Sequence, residues 1–219
     1  MNINAIGISG YATSGKTEVA KYLEQHYGFK RRHIAEPLRA MLVPLLKAYG
    51  FEDDLIWAYL EGPLKEDVIP ELGVTPRYLQ ITLGTEWGRV LIKDSIWAEA
   101  WRLAVKPDEV AINDSVRFPN EQEAIDKLGG FTIMIERPHV GPAKFTSGWG
   151  KALYEMFGLM WGVHPSERID LIDPDYTITN DGTMAELHAK IDSIMAVNGF
   201  VKTGSLTDRL PRPQGDIAA

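Results

Sequence analysis

The chain has 219 residues and a formal net charge of −7, and it is long enough for one domain with a buried core. It contains no cysteine, which excludes disulfides, a thiolate nucleophile and a cysteine-built zinc site. Its acidic balance argues against direct nucleic-acid binding, and without a basic leader or an apolar run of roughly 20 residues we expect a cytoplasmic protein with no membrane span.

Strand-like and helix-like patterns alternate along most of the chain. Short apolar runs predict strands at 3–9, weakly at 32–35, and at 109–113, 131–136 and 176–179. Helical spacing of apolar residues predicts helices at 16–27, 37–49, 76–93, 96–105, 121–128 and 183–197. This alternation is typical of βαβ units, so we expect an α/β fold with a parallel sheet and helices on both faces.

Three stretches depart from that alternation within a single predicted domain, residues 1–200. Residues 37–105 lack a convincing strand and are predicted to form a helical insertion beside the sheet. Residues 137–168 are irregular, rich in Pro and Gly, and contain several aromatic residues, which is typical of a lid. A helical hairpin with those aromatic residues on its core face is the alternative. Residues 201–219 are predicted to be a flexible tail.

Residues 10–17 read Gly-Tyr-Ala-Thr-Ser-Gly-Lys-Thr, the G-x-x-x-x-G-K-[ST] phosphate loop. Because the loop lies between a predicted strand and a predicted helix, its backbone N–H groups and the helix N-terminus favour phosphate oxygens. Lys16 is predicted to act on the β- and γ-phosphates as a catalytic cation, and the Thr17 hydroxyl is predicted to be a Mg²⁺ ligand. A glycine-rich turn with a surface lysine is the alternative. The predicted ATP-binding residues of the loop are Gly10, Ala12, Thr13, Ser14, Gly15, Lys16 and Thr17.

An acid and a basic residue follow a later apolar run. Asp114 comes directly after the predicted strand 109–113, so we predict it to hold the Mg²⁺. A turn-forming role is the alternative, since Asn, Asp and Ser in succession are turn-prone. Arg117 is predicted to be catalytic, because a cation there could offset charge on a transferring phosphoryl group. It could equally fix its loop through a carboxylate.

Residues 73–89, with the run Leu-Gly-Thr-Glu-Trp-Gly-Arg at 83–89, carry many polar groups that do not share one solvated helix face. Together with Val-Arg-Phe-Pro-Asn-Glu at 116–121 and the phosphate loop, this stretch resembles the phage-type deoxynucleoside monophosphate kinases, in the nucleoside monophosphate kinase branch of the P-loop kinases. The resemblance covers residues 3–198. It implies a three-layer sandwich with a five-stranded parallel sheet, a helical monophosphate-binding insertion and a lid.

The resemblance also implies an activity: transfer of the γ-phosphoryl group of ATP to a deoxynucleoside 5′-monophosphate, with Mg²⁺, in the host cytoplasm if the chain is phage-encoded. Asn180 then lies in the loop that passes the ATP adenine. For such a transfer we predict Arg137 to be a catalytic cation of the lid region, with Lys144 and Arg168 as alternatives. The family usually has Asp directly before the 116–121 run, where this chain has Ser115. Either the metal carboxylate is displaced by one residue, to Asp114, or Ser115 holds a water molecule in its stead. The acceptor-site residues that the resemblance implies are Glu36, Arg39, Arg77, Gln80, Trp87 and Arg89.

Other functions stay open at this point. One alternative is another P-loop small-molecule kinase that acts on a coenzyme precursor, and another is a DNA-directed P-loop ATPase, which the acidic charge disfavours. A nucleotide-binding regulator without turnover is a third. The expected partners are ATP and a deoxynucleoside monophosphate, with no membrane or nucleic acid, and a homodimer is left open.

Overall fold

The computed structural model describes residues 3–203, and its centre is a parallel β-sheet. The described part of the chain has five strands in the order β2-β3-β1-β4-β5, and every neighbouring pair is parallel. Their bounds are β1 (Ala5–Ser9), β2 (Lys30–Arg31), β3 (Ala111–Val116), β4 (Phe131–Glu136) and β5 (Tyr176–Thr179). The inner strands are almost wholly buried, as expected for a parallel sheet covered on both faces.

Helices cover both faces of this sheet. On one face, α1 (Lys16–Tyr27) and α8 (Met184–Val197) pack in one core with inward side chains such as Ile8 and Ile133. On the other face, α5 (Ile96–Ala104) and α6 (Pro119–Asp126) pack in a second core with Ala111. The predicted α/β fold, with a five-stranded parallel sheet between two helical layers, is therefore confirmed.

The chain between β2 and β3 forms a helical region with a core of its own. Its helices are α2 (Glu36–Ala48), α3 (Asp53–Leu60), α4 (Pro76–Ile81), a π-helical segment (Thr82–Ile92) and α5. Leu46, Ile56 and Leu60 are fully buried in that core, next to Trp97. The predicted insertion over 37–105 thus agrees with the structure in its helical content. The sequence pattern missed α3 because the apolar residues at 55–60 are continuous rather than spaced as on one helix face.

The predicted helix 76–93 is not uniform. Its α-helical part ends at Ile81, and the wider π-helical turns follow. The indole Nε1 of Trp97 donates to the carbonyl of Gly84 at 2.8 Å, and a Cβ on Gly88 would lie 2.5 Å from the same nitrogen. Gly88 therefore allows this segment to pack closely on Trp97, whereas a Cβ on Gly84 would lie 2.8 Å from the side chain of Leu38.

The predicted bounds of three strands were wrong. The strand expected at 3–9 begins at Ala5. The strand expected at 32–35 lies at Lys30–Arg31, and β3 runs on to Val116, so Asp114 lies within the strand and not at its end. The pairing moves from Gly7↔Asn113 to Ser9↔Val116, which places one extra residue in β3 as a β-bulge. Asn113 Oδ1 accepts hydrogen bonds from the backbone N–H and the hydroxyl of Ser115, and these bonds hold the bulge.

The predicted lid contains a helix, α7 (Gly148–Phe157), and one short 3₁₀ turn (Pro165–Glu167), and a second 3₁₀ turn (Ile169–Leu171) follows directly after it. Trp149, Phe157 and Trp161 are mostly exposed, so they do not form the core face that the hairpin alternative requires. The predicted tail begins at 201, and its residues 204–219 lie outside the described part. Among residues 3–203, no helix has the length and apolar character that crossing a membrane requires.

Candidate active site

The phosphate loop joins β1 to α1 in a conformation that requires its glycines. Gly10 has φ +146°, and a Cβ there would lie 2.5 Å from the carbonyl oxygen of Ile135. Gly15 has φ +113°, and its Cβ would lie 2.6 Å from Nδ2 of Asn180. Thr13 also has a left-handed φ of 65°, which is unusual for a β-branched residue. The loop is therefore held in one shape by the strand ends beneath it.

Lys16 is the first residue of α1, and its side chain folds back over the loop. Its Nζ donates to the carbonyl oxygens of Gly10 at 2.7 Å and Tyr11 at 2.6 Å. Burial, together with the nearby Arg117, lowers the pKa of Lys16 to about 8. An anion at the loop would favour the charged form, so the ammonium group is ready to exchange carbonyl oxygens for phosphate oxygens.

Asp114 is buried, and the guanidinium of Arg31 is ion-paired with its Oδ2. Its other oxygen, Oδ1, is buried and has no hydrogen-bond partner in the described part of the chain. Its negative charge acts to raise the pKa of Lys16. Such an unpartnered carboxylate oxygen is a suitable ligand for Mg²⁺, which usually takes one or two carboxylates and fills its other positions with phosphate oxygens and water.

The exposed hydroxyl of Thr17 is the second protein group that fits such a cation. Among residues 3–203, no group of three or more His, Cys, Asp or Glu could hold a metal ion. The residues present therefore fit a cation that is completed by a bound nucleotide, and not a closed protein cage.

Three further predicted residues contact the loop or the predicted lid. Arg137 Nη1 donates to the carbonyl of Thr13 at 3.2 Å, and Asn180 Nδ2 donates to the carbonyl of Ser14 at 2.8 Å. Arg117 Nη1 lies 3.1 Å from Oε1 of the buried Glu167, which belongs to the predicted lid. Arg117 is thus fixed through a carboxylate, as the alternative interpretation expects, while its charge still lowers the pKa of Lys16.

A cavity of about 390 Å³ opens beside the loop at the carboxyl ends of β4 and β5. Tyr11, Ile135, Arg137 and Thr179 are among the residues that line it. Burial, followed by the nearby Tyr154, raises the pKa of Tyr11 to about 12, so its phenol stays neutral near pH 7. The cavity is therefore partly apolar, and its charged lining residues are one cation, Arg137, and two acids, Glu136 and Asp170. Such a lining suits a nucleotide base or sugar better than a free anion.

A second cavity, of about 360 Å³, lies at the carboxyl end of β2 and is lined almost wholly by ionisable side chains. Arg39 is buried there, and its Nη1 lies 2.6 Å from Oε1 of Glu61. The backbone N–H of His33 donates to Glu36 at 2.8 Å. We call this the basic cavity, and its lining residues are Arg31, His33, Glu36, Arg39, Glu61 and Lys65.

Two pKa values in the basic cavity are perturbed. Burial, with Arg39 next in importance, lowers the pKa of His33 to about 4, so the imidazole is neutral near pH 7. Burial and Arg39 also lower the pKa of Lys65. Both shifts have the same two causes, burial first and the charge of Arg39 second.

The structure brings Glu36 and Arg39 together in this cavity, but the other predicted acceptor residues do not line it. Gln80 Nε2 donates to the carbonyl of Leu60 at 3.1 Å, and Trp87 packs against Trp97 with ring centroids 6.2 Å apart. Arg77 lies 3.4 Å from Glu66 and acts on the pKa of the neighbouring Lys65.

Arg89 is engaged elsewhere. Its Nη2 lies 3.0 Å from Glu121, its Nη1 lies 3.2 Å from Asp94, and its guanidinium carbon lies 4.1 Å from the centre of the Phe118 ring. Glu121 is buried, and burial raises its pKa. The charge of Arg89 acts in the opposite direction and stabilises the ionised carboxylate in its buried position. The contacts join the 83–89 run to the 116–121 run.

Sequence reasoning missed four lining residues of the basic cavity: Arg31, His33, Glu61 and Lys65. A signal for the first two was present, because the basic run 30–33 covers the carboxyl end of β2, at the edge where parallel sheets bind ligands. Because the second strand was predicted at 32–35 instead of 30–31, this basic run was not placed at the end of a strand. Glu61 and Lys65 carry no such local signal.

The chain is similar to known proteins over part of its length. No family model matches it. It is 29% identical over 151 residues to a protein of Acanthamoeba polyphaga mimivirus described as "Putative deoxynucleotide monophosphate kinase", across 62% of this chain and 75% of that protein. It is 38% identical over 86 residues to the deoxynucleoside-5′-monophosphate kinase of Escherichia phage T5, across 37% of this chain and about a third (34%) of that protein. The chain resembles deoxynucleoside monophosphate kinases, as its motifs predict.

Solved structures of small kinases are also similar, at low scores. A dephospho-CoA kinase from Campylobacter jejuni has a TM-score of 0.47 and 16% identity, with 89% of this chain and 96% of that chain covered. A shikimate kinase from Acinetobacter baumannii in complex with shikimate has a TM-score of 0.40 and 15% identity, with 90% and 96% covered. Because both scores are below 0.5, the fold class is based on the sheet and its helices alone.

Proposed function

We propose that the protein is a kinase that transfers the γ-phosphoryl group of ATP to deoxynucleoside 5′-monophosphates. The observation that supports this best is the linkage of two cavities through the phosphate loop. Tyr11 of the loop lines the first cavity, while the basic cavity connects to Lys16 through the ion pair of Arg31 and Asp114. A donor and an acceptor nucleotide could therefore meet at Lys16. The names of the two viral relatives support a deoxynucleotide as acceptor.

On the donor side, the loop amides from Gly10 to Thr17 would hold the triphosphate, and Lys16 would leave its carbonyl partners for the β- and γ-phosphates. Asn180, which already bonds the loop, would flank the adenine. Thr17 and Asp114 would hold Mg²⁺, which supplies charge neutralisation for the phosphate oxygens when bound.

On the acceptor side, the basic cavity would bind the monophosphate. Arg39 is suited to this role because its buried Nε has no hydrogen-bond partner among the described residues. Glu36 would orient the backbone of the cavity through His33. Acceptor-binding roles stay predictions for four residues, Arg77, Gln80, Trp87 and Arg89. Among them, Arg77 acts on the cavity electrostatically, because its charge, after burial and Arg39, helps to lower the pKa of the lining residue Lys65.

Catalysis would consist mainly of positioning and charge neutralisation. Arg117 and Arg137 would offset charge on the phosphoryl group in transfer. Arg117 contacts Glu167 of the predicted lid, and Arg137 contacts Thr13 of the phosphate loop. A general base is not required, because the acceptor phosphate is already ionised near neutral pH.

The test is a phosphoryl-transfer assay with ATP and Mg²⁺ against dAMP, dCMP, dGMP, dTMP and their ribose counterparts. We expect diphosphate product with at least one deoxynucleotide, and loss of product in Lys16→Ala. Lys21→Ala, which removes an exposed cation from the same helix, is the matched control and should stay active. ATP hydrolysis without any diphosphate product, or transfer only to a coenzyme precursor, would contradict the proposal.

A further inference from the structure

We propose that Arg31 binds the phosphate of the acceptor nucleotide and Asp114 at the same time, and so links the acceptor site to the phosphate loop. This inference rests on the proposed function. Arg31 is the last residue of β2, where the basic cavity begins, and its guanidinium pairs with Oδ2 of Asp114. Its side chain is 36% exposed, whereas that of Asp114 is only 4% exposed. The cation therefore lies between a buried carboxylate and an open cavity.

The guanidinium of Arg31 has N–H donors that no described residue accepts. A guanidinium carries five N–H donors in a planar fork, and in the described part of the chain the bond to Asp114 is the one hydrogen bond that Arg31 donates. The remaining donors belong to a side chain that lines the basic cavity. A phosphate there could bind the fork without displacing Asp114.

The other groups of the basic cavity favour a doubly charged anion. Its two carboxylates are already engaged, Glu61 with Arg39 and Glu36 with the backbone of His33. The ring nitrogen Nδ1 of His33 accepts from the backbone of Ala35, so a neutral ring has its proton on Nε2 and can donate. Burial and then Arg39 lower the pKa of Lys65, and a phosphate monoester in the cavity would favour the charged form of this lysine.

Asp114 connects Arg31 to the phosphate loop. Because Arg31 holds Oδ2, the unpartnered Oδ1 is the oxygen left for the phosphate loop, where the carboxylate acts on Lys16. Without Arg31, a phosphate in the basic cavity would meet a buried, unpaired carboxylate and be repelled. Arg31 thus both attracts the phosphate and cancels the charge behind it.

Calorimetric titration without ATP or Mg²⁺ tests this, with the probe taken as whichever of dAMP, dCMP, dGMP and dTMP the wild type phosphorylates fastest. Arg31→Ala should weaken binding by about tenfold or more, since a charge-assisted fork is lost and the repulsion from Asp114 appears. Lys30→Ala, which removes the exposed neighbouring cation on β2, should bind within twofold of the wild type. Adding Asp114→Asn to Arg31→Ala should recover about threefold or more, because the repelling charge is gone.

Binding by Arg31→Ala within twofold of the wild type would overturn the inference, and so would the absence of recovery in the double variant. If Arg31→Ala does not fold in a melting experiment, Arg31→Lys keeps a charge for Asp114 but loses the fork. That variant should melt near the wild type and bind several-fold more weakly; wild-type affinity would refute the link. A wild type that phosphorylates a monophosphate while Arg31→Ala binds it normally refutes the inference alone. A wild type that neither binds nor phosphorylates any of the four refutes the proposed function, and the inference with it.

Discussion

Triphosphate binding should weaken as the pH rises through 8, because Lys16 loses its charge there. In the free protein, burial and the nearby Arg117 lower the pKa of this lysine from 10.5 to about 8. Phosphate oxygens at Nζ favour the ammonium form, so the bound protein keeps the proton to a higher pH. Above pH 8, binding must therefore first take up a proton, and the affinity falls as the pH rises. Below pH 7, Lys16 is already charged, so its titration no longer changes the affinity as the pH falls.

The size of the effect follows from the fraction of charged lysine. With a pKa of about 8, roughly nine-tenths of the free molecules carry the charge at pH 7 and roughly one-tenth at pH 9, so the affinity should fall about tenfold between them. Calorimetry with a non-hydrolysable ATP analogue and Mg²⁺ from pH 6.5 to 9.5 would measure it. Titrations at pH 8 in buffers of different ionisation enthalpy should also show uptake of about half a proton per site.

Lys16→Arg is the control, because a guanidinium stays charged throughout this range while the nucleotide and the other groups titrate as before. Its affinity, whatever its absolute value, should not show the fall above pH 8. If the wild type and Lys16→Arg gave parallel profiles up to pH 9.5, Lys16 would not have a lowered pKa or would not contact the triphosphate.

Two substitutions test the close approaches at glycine by urea denaturation without nucleotide. Gly88→Ala should destabilise the fold by about 1–2 kcal/mol, because its Cβ would lie 2.5 Å from Nε1 of the buried Trp97, and helical propensity offsets only about 1 kcal/mol. Gly148→Ala has open space and should not destabilise; equal behaviour of the two variants would contradict the packing described for the π-helical segment. Gly10→Ala should cost about 2 kcal/mol or more, since its φ is +146° and its Cβ would meet the carbonyl of Ile135, and an unchanged urea midpoint would refute that geometry.

The order of strands and helices could be predicted where the signal is local. The bounds of β4 and β5 agree with their predictions because each is a short apolar run between turn residues, and α1 begins at Lys16 as the loop motif requires. The edge strand β2 could not be placed in this way. Lys30 and Arg31 are both exposed, and only their pairing with β3 makes them a strand.

The candidate site likewise has one part that the sequence predicts and one part that it does not. The phosphate loop is contiguous in sequence, so its residues could be named from the motif alone. The basic cavity depends on contacts between distant residues, such as Arg31 with Asp114, 83 positions apart, and Arg39 with Glu61, 22 apart. The resemblance supplied Glu36 and Arg39 but not their neighbours, because no spacing rule relates a residue after β2 to one that follows α3.

The bulge in β3 has a consequence for how residues are matched between distant proteins. A count of positions back from Val116 selects Ser115, whose hydroxyl is used to hold Asn113. The additional residue lets the backbone bring Asp114, one position earlier, within electrostatic range of Lys16. Column-by-column transfer of an acid would name a serine here, whereas the bulge leaves Asp114 as the acid of this strand that acts on Lys16.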